Sequence, residues 1–259
     1  MEALLIILFV IFFTVYSLIE RYKEEKRSQK KRKSDVLLIK SHEELLLNNY
    51  QFYRLLPEYS KNKFDQRLSR FISSRDFTGR GMEVEPYMKV MIGAAAVKFS
   101  LGLYSYNLSG FKRIIIFPEE YHSKITGQYH KGEANAIGIV AFSWKHFQEG
   151  LDSPSDNLNL GIHEFAHAYF LQQTRMSGEL PFDENNFSKL RYHLQKSSVI
   201  NDVKNRELFR NYAFQNEMEF FAILGEHFFE TPSAFKQEAP KLYDMYGQLL
   251  KQDTVLLGM

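Results

Sequence analysis

His163-Glu164-Phe165-Ala166-His167 is the stretch of this chain whose residue types and spacing could do chemistry. On a helix, two histidines four positions apart project from one face and can chelate a single metal ion. Glu164 lies one step round, where a carboxylate reaches water on the metal rather than the metal itself. A zinc ion lowers the pKa of its water, and the neighbouring carboxylate can accept the proton as that water attacks a peptide carbonyl. The same carboxylate can then protonate the leaving amine. The alternative is two ordinary histidines on an ordinary helix. A catalytic zinc needs a third protein ligand, and a chain without cysteine leaves histidines and carboxylates as its strong ligands.

Two helices would have to position these groups. Ser155-Asp156-Asn157 offers N-cap candidates, and Leu158 to Gln173 follows with Gly161 as its one helix-weakening residue, so a helix carrying both histidines is predicted there. Tyr212 to Phe229 (YAFQNEMEFFAILGEHFF) reads as a second, strongly apolar helix bearing Glu217, Glu219, Glu226 and His227. Glu219 has two readings from spacing alone. It could ligate a metal, or it could close a capping box with Asn216 by reaching back to that residue's N–H.

The order of these features resembles the Mlc titration factor A family of zinc peptidases, whose metal site is related to that of the anthrax lethal factor catalytic domain. In that pattern a His-Glu-x-x-His helix is followed by a tyrosine seven residues ahead of a ligand glutamate that opens a Glu-Phe-Phe-Ala-like stretch. Tyr212 stands seven before Glu219, and Glu219 opens Glu-Phe-Phe-Ala-Ile-Leu-Gly-Glu. Phe117-Pro118, the stretch before Trp144 and the terminal LYDMYGQLLKQD are also similar to the family. The resemblance implies zinc bound by His163, His167 and Glu219, with Glu164 as general base and Tyr212 as hydroxyl donor to the developing oxyanion. Glu226, two turns beyond Glu219, is expected either to bond a ligand histidine from behind or to cap a polar network. His193 and His227 are expected in surface or packing roles, and Tyr169, Phe170, Phe220, Phe221, Phe228 and Phe229 in the core. The chain departs from the family at Ala168-Tyr169-Phe170, where Leu-Asp is frequent, and at Thr254, where proline is usual.

Around the site the pattern predicts a mostly helical α+β, zincin-like domain over residues 41–259. Ser41 caps a first helix, Lys61 to Ser73 and Met88 to Leu103 continue the helical part, and Gly79-Arg80-Gly81 makes a turn. Ile114 to Phe117 reads as a strand. Gln128 to His130 and Ile137 to Phe142 read as a pair of strands joined through Lys131 to Ala136. An extended substrate could add along that pair by main-chain pairing. The 23 Phe and 15 Tyr supply an aromatic core.

Ahead of the domain, Ala3 to Ile19 carries no charge and spans roughly 26 Å as a helix, so residues 1–20 are predicted to be one transmembrane anchor. Positive charge follows this run instead of preceding it, unlike a cleaved signal peptide. Residues 21–40 form a basic juxtamembrane linker, which puts the domain on the cytoplasmic side of the inner membrane by the positive-inside rule. The overall charge of +2 includes no basic stripe downstream, so no nucleic-acid partner is expected. The function predicted is a membrane-anchored zinc peptidase acting on a peptide or protein. The alternative is a regulatory protein that sequesters a partner such as a transcriptional regulator.

Overall fold

The computed structural model describes residues 42–123, 126–176 and 178–258. The chain divides into two units, residues 1–44 and 45–259, and the second carries all the candidate site residues. The predicted anchor, linker and Ser41 cap lie outside the described residues. Among the described residues no helix is long and apolar enough to cross a membrane.

Residues 42–49 (α1), Gln51–Leu55 (α2) and Glu58–Ser73 (α3) are helical. After the strand Asp76–Gly79 (β1) comes Pro86–Ser100 (α4), with Pro86 in its first turn, where the missing N–H costs nothing. Three consecutive alanines at 94 to 96 let α4 pack closely, and it is buried nearly throughout, against α3 on one side. Five strands follow: Arg113–Phe117 (β2), Tyr121–His122 (β3), Tyr129–His130 (β4), Gly132–Asn135 (β5) and Ile139–Ser143 (β6). From Trp144 the described chain is helical apart from its connections: Trp144–Asp152 (α5), Leu160–Thr174 (α6), Glu184–Leu194 (α7), Ser197–Asn205 (α8), Glu217–Glu230 (α9), Pro232–Glu238 (α10) and Pro240–Leu250 (α11). Short 3₁₀ turns cover Asn211–Phe214 and Val255–Leu257. The expected mostly helical α+β architecture with a small sheet is what forms.

The main sheet runs β1-β2-β6-β5. β2 is parallel to both β1 and β6, while β5 closes an antiparallel hairpin onto β6. Two expectations change here. The expected turn covers Gly79-Arg80-Gly81 and no strand is expected at Asp76–Gly79, since Asp and Gly are poor strand formers. The segment becomes a strand through its parallel pairing, Asp76 opposite Arg113 to Gly79 opposite Ile116. The connection Lys131 to Ala136 holds β5 itself, so the strands at Tyr129 and Ile139 do not pair with each other. β4 pairs with β3, and β6 takes β5. The hairpin turns through Ala136, Ile137 and Gly138, with Gly138 N–H donating to Asn135 C=O at 3.0 Å and Gly138 at φ 83°. That three-residue loop ends on a left-handed position that glycine fills without strain.

The core is aromatic, and α6 lies in its middle, packed on α4, α9 and the sheet. Phe99 of α4 stacks on Tyr169 of α6 at 5.1 Å, and Phe170 meets Phe221 of α9 at 5.4 Å. Each such ring, fully buried, contributes about 1.5–3 kcal/mol over leaving it exposed. The Ala-Tyr-Phe departure at 168 to 170 is therefore core material. Thr254 is too: it is completely buried, and its hydroxyl donates to Phe228 C=O at 2.6 Å.

Candidate metal centre

Local sequence sets the start of α6 later than the Ser155-Asp156-Asn157 cluster suggests. Asp156 accepts from Leu158 N–H at 2.9 Å, and Asn157 adopts a left-handed φ of 59°, so these residues make a turn. Asn159 is the cap instead, its side chain accepting from Ile162 N–H at 3.0 Å. The helix is then buried from Gly161 to Gln172, including His163, Glu164 and His167. The two imidazoles sit one turn apart with ring centres 4.4 Å from each other.

The second expected helix is broken. Tyr212 lies in the 3₁₀ turn Asn211–Phe214, and α9 starts only at Glu217. The break falls at Asn216, whose side chain accepts from the N–H groups of both Met218 and Glu219 at 3.0 Å. Half of the anticipated capping box is thus present, but the Glu219 side chain turns the other way. Its Oε2 lies 3.2 Å from His163 Nε2 and 3.4 Å from His167 Nε2. One ligand atom from each of His163, His167 and Glu219 falls within 4.8 Å of the others. Tyr212 stands at the mouth, 44% exposed, its ring centre 6.4 Å from that of His163.

A layer behind these residues holds them in place. Glu226 Oε1 lies 3.1 Å from His163 Nδ1, which leaves Nε2 facing the cluster. Glu226 Oε2 is paired with Arg210 at 2.7 Å, and the Arg210 guanidinium also donates to Asn157 C=O at 2.6 Å. Arg210 has no spacing signal, since a turn and a helix start separate it from Glu226, and the sequence reading misses it. It misses Gly132 as well. A Cβ there would sit 2.5 Å from Glu164 Oε1, so only glycine lets β5 lie directly over the Glu164 carboxyl. His227 packs edge-on to Phe209 at 4.8 Å and takes the expected packing role.

The electrostatics follow from burial and crowding. Burial pushes the Glu164 carboxyl up to about 8; His163 opposes that rise, while Glu219 and Glu133 add to it. Burial also works against charge on His163, but Glu226 and Glu219 outweigh it and lift the imidazole to about 10. His167 goes the other way, to about 4, through burial and the charge of its neighbour His163. Glu219, although buried, is held below the usual carboxylate range by the two histidines. Burial first, then the Glu219 carboxylate, raises Tyr212 to about 12, so its phenol is protonated at neutral pH.

These residues suit a divalent metal. Two imidazole nitrogens and one carboxylate oxygen are a borderline-soft donor set that fits zinc-type ions. Glu219 Oε2 is buried close to both rings without a well-aligned hydrogen bond, so in the metal-free chain it is compensated by the charge of the neighbouring imidazole alone, a place that a metal ion could take. The Glu226 and Glu219 carboxylates keep a proton on the buried His163 ring, and a metal ion would answer the same field. A cleft of about 400 Å³ opens over His163 and Glu164, lined also by Tyr129, Lys131, His146, Leu158, Arg210 and Tyr212.

The sequence matches the model of the glucose-regulated metallo-peptidase M90 family over residues 22–251. Relatives include the Mlc titration factor A of Klebsiella pneumoniae subsp. pneumoniae, 24% identical over 218 residues that cover 76% of this chain and 81% of that protein. The Mlc titration factor A of Pectobacterium atrosepticum is 26% identical over 188 residues, 63% of this chain and 69% of the relative. That of Escherichia coli O9:H4 is 25% identical over 218 residues, with 76% and 81% covered.

Proposed function

We propose, from the premise that the chain belongs to the glucose-regulated metallo-peptidase M90 family, that it is a zinc-dependent peptidase working through His163, Glu164, His167, Tyr212 and Glu219. The observation that carries this reading is the convergence of two imidazoles and the Glu219 carboxylate in one cluster, of which His163, together with Glu164, lines an open cleft. Zinc held by His163, His167 and Glu219 would supply the Lewis acid that acidifies a water and polarises the scissile carbonyl.

The chain's own residues supply the rest. Glu164 takes the proton of the attacking water and returns it to the leaving amine. Its carboxyl is prepared for both jobs, because burial raises its proton affinity in the metal-free chain and a cation would lower it again. Glu226 keeps His163 in the tautomer that presents Nε2, and Arg210 fixes Glu226. Tyr212, protonated and half-exposed at the cleft mouth, donates its hydroxyl to the developing oxyanion. β5 is the end strand of its sheet and lies over Glu164, so an extended peptide can pair with it across the cleft. Residues 1–20 would anchor the domain to the inner membrane from the cytoplasmic side, which a C-terminal topology reporter tests; a reporter active outside the cytoplasm would reject that orientation.

The decisive experiment measures bound zinc and cleavage of a peptide library with the purified chain. The expected result is about one zinc per chain, with Glu164→Gln retaining zinc while turnover falls at least ~10²-fold. Protein that neither contains nor takes up zinc would sink the site. A second reading has its own support, since relatives carry the name of a titration factor for Mlc. In it the same fold captures a protein regulator, and stoichiometric zinc without cleavage of any peptide would favour it.

A further inference from the structure

The last turns of α4 and α9 meet at a second cavity of about 340 Å³, which shares Gly150 with the cleft but none of the metal-centre residues. Four charged residues line it: Arg54 and Asp152, both exposed at its rim, and one buried pair of opposite sign, Lys98 and Glu230. Glu230, the final residue of α9, is 6% exposed; its Oε1 accepts from Asn159 Nδ2 at 2.9 Å. Its Oε2 is buried and has no hydrogen-bond partner among the described residues. Lys98, 7% exposed, donates one hydrogen bond, at 3.3 Å, to Phe229 C=O, and its Nζ lies 5.3 Å from the ring centres of Phe52 and Phe229. Among the described residues Lys98 and Glu230 form no direct ion pair, although they share one chamber.

This arrangement is costly without an occupant. A carboxylate at a helix C-terminus faces the negative end of the helix dipole, and burial adds to the penalty. Burial holds the Lys98 ammonium below its ordinary range and the Glu230 carboxyl above its own, as expected for charges that the protein compensates only in part. Asn159 cannot relieve Glu230 further, because its amide is committed to Gly150 C=O, Glu230 and Ile162 N–H.

The chemistry of an occupant follows from the unmet groups. A lone anion would be repelled by Glu230. A metal ion would find one buried carboxylate, and the metal-ligating cluster among the described residues is elsewhere. A molecule with a hydrogen-bond-donating cation at one end and an anion at the other satisfies both, and it brings no net charge into the protein. We infer that the chamber between α4 and α9 binds a small zwitterion of the free α-amino acid class, its ammonium on Glu230 Oε2 and its carboxylate on Lys98 Nζ. Tyr50, Tyr87 and Leu151 are among the other lining residues and would receive the side chain, with the exposed Arg54 and Asp152 also in the lining. The volume sits at the small end of ligand pockets, which suits a single amino acid.

The test uses the full chain and the twenty free amino acids, ranked by thermal shift, with the strongest titrated calorimetrically. One-to-one binding is expected. The decarboxylated amine and the deaminated acid of that amino acid, each with one charge only, should bind at least tenfold more weakly to the unaltered protein. Glu230→Gln and Lys98→Met should each weaken binding at least tenfold while bound zinc stays at the unaltered level. If no amino acid binds, or the one-charge analogues bind equally well, the inference is overturned. Unchanged affinity in both variants overturns it too. The analogue comparison decides the matter even where a variant fails to fold. The outcome is independent of whether the metal centre cleaves peptides.

Discussion

At the scale of single residues, the proposed site sets groups that would bind a metal apart from groups that only leave room. Gly132 touches no ligand, yet its missing Cβ is what allows Glu164 to sit under β5. Gly132→Ala should push the Glu164 carboxyl aside and cut peptidase turnover at least ~10-fold with zinc content unchanged, because a misplaced base loses general-base catalysis but not the ligands. Loss of zinc in that variant would contradict the assignment. His227 gives a pH signature. Burial, followed by repulsion from Arg210, lowers it to about 4 in the folded chain, against 6.5 unfolded. Between pH 6.5 and 4 the unfolded state therefore binds more protons, and stability falls as the solution is acidified through that window. His227→Leu should make the loss of stability over this range shallower, as read by urea midpoints at successive pH values.

Among the elements, α6 and α9 divide the work, and their caps decide how well they do it. Asn216 fastens the first turn of α9 through two N–H groups, one of them that of Glu219. Asn216→Ala should cost about 1 kcal/mol of stability. Zinc should also leave faster on dialysis against a chelator, although both histidines are untouched. The metal helix is legible in two histidines at helical spacing; spacing leaves Glu219 with two readings, and the match of the Tyr212–Glu219 offset to the family pattern is what singles it out as the carboxylate that joins them from α9. Cap positions are less legible. Several Ser, Asp and Asn residues compete between 155 and 159, and the left-handed turn at Asn157 that selects Asn159 depends on Arg210 and Thr231 holding it from far along the chain. β1 and β5 escape a reading by propensity because Asp, Gly, Glu and Asn make poor strands, and only pairing with β2 and β6 turns them into strands.

Across the whole molecule, the C-terminal segment acts as a clasp. Gln252 donates to the carbonyls of Lys98 and Phe99 at the end of α4, and Thr254 ties the same segment to α9. Thr254→Val keeps the shape but strands the Phe228 carbonyl without its donor, a loss of about 1–3 kcal/mol. The urea midpoint should fall while the denaturant slope stays constant, which would mark the segment as part of one cooperative unit. The two halves of the metal centre also have a history in time. His163 and His167 leave the ribosome well before Glu219, which comes from a different helix, and the interval lasts seconds at ordinary rates of synthesis. A nascent chain that has finished α6 thus holds an incomplete chelator with its base uncovered on one side. On the proposed peptidase reading, hydrolytic power would appear only once α9 has been made and docked, which would keep the half-built protein harmless to itself and to its neighbours on the ribosome.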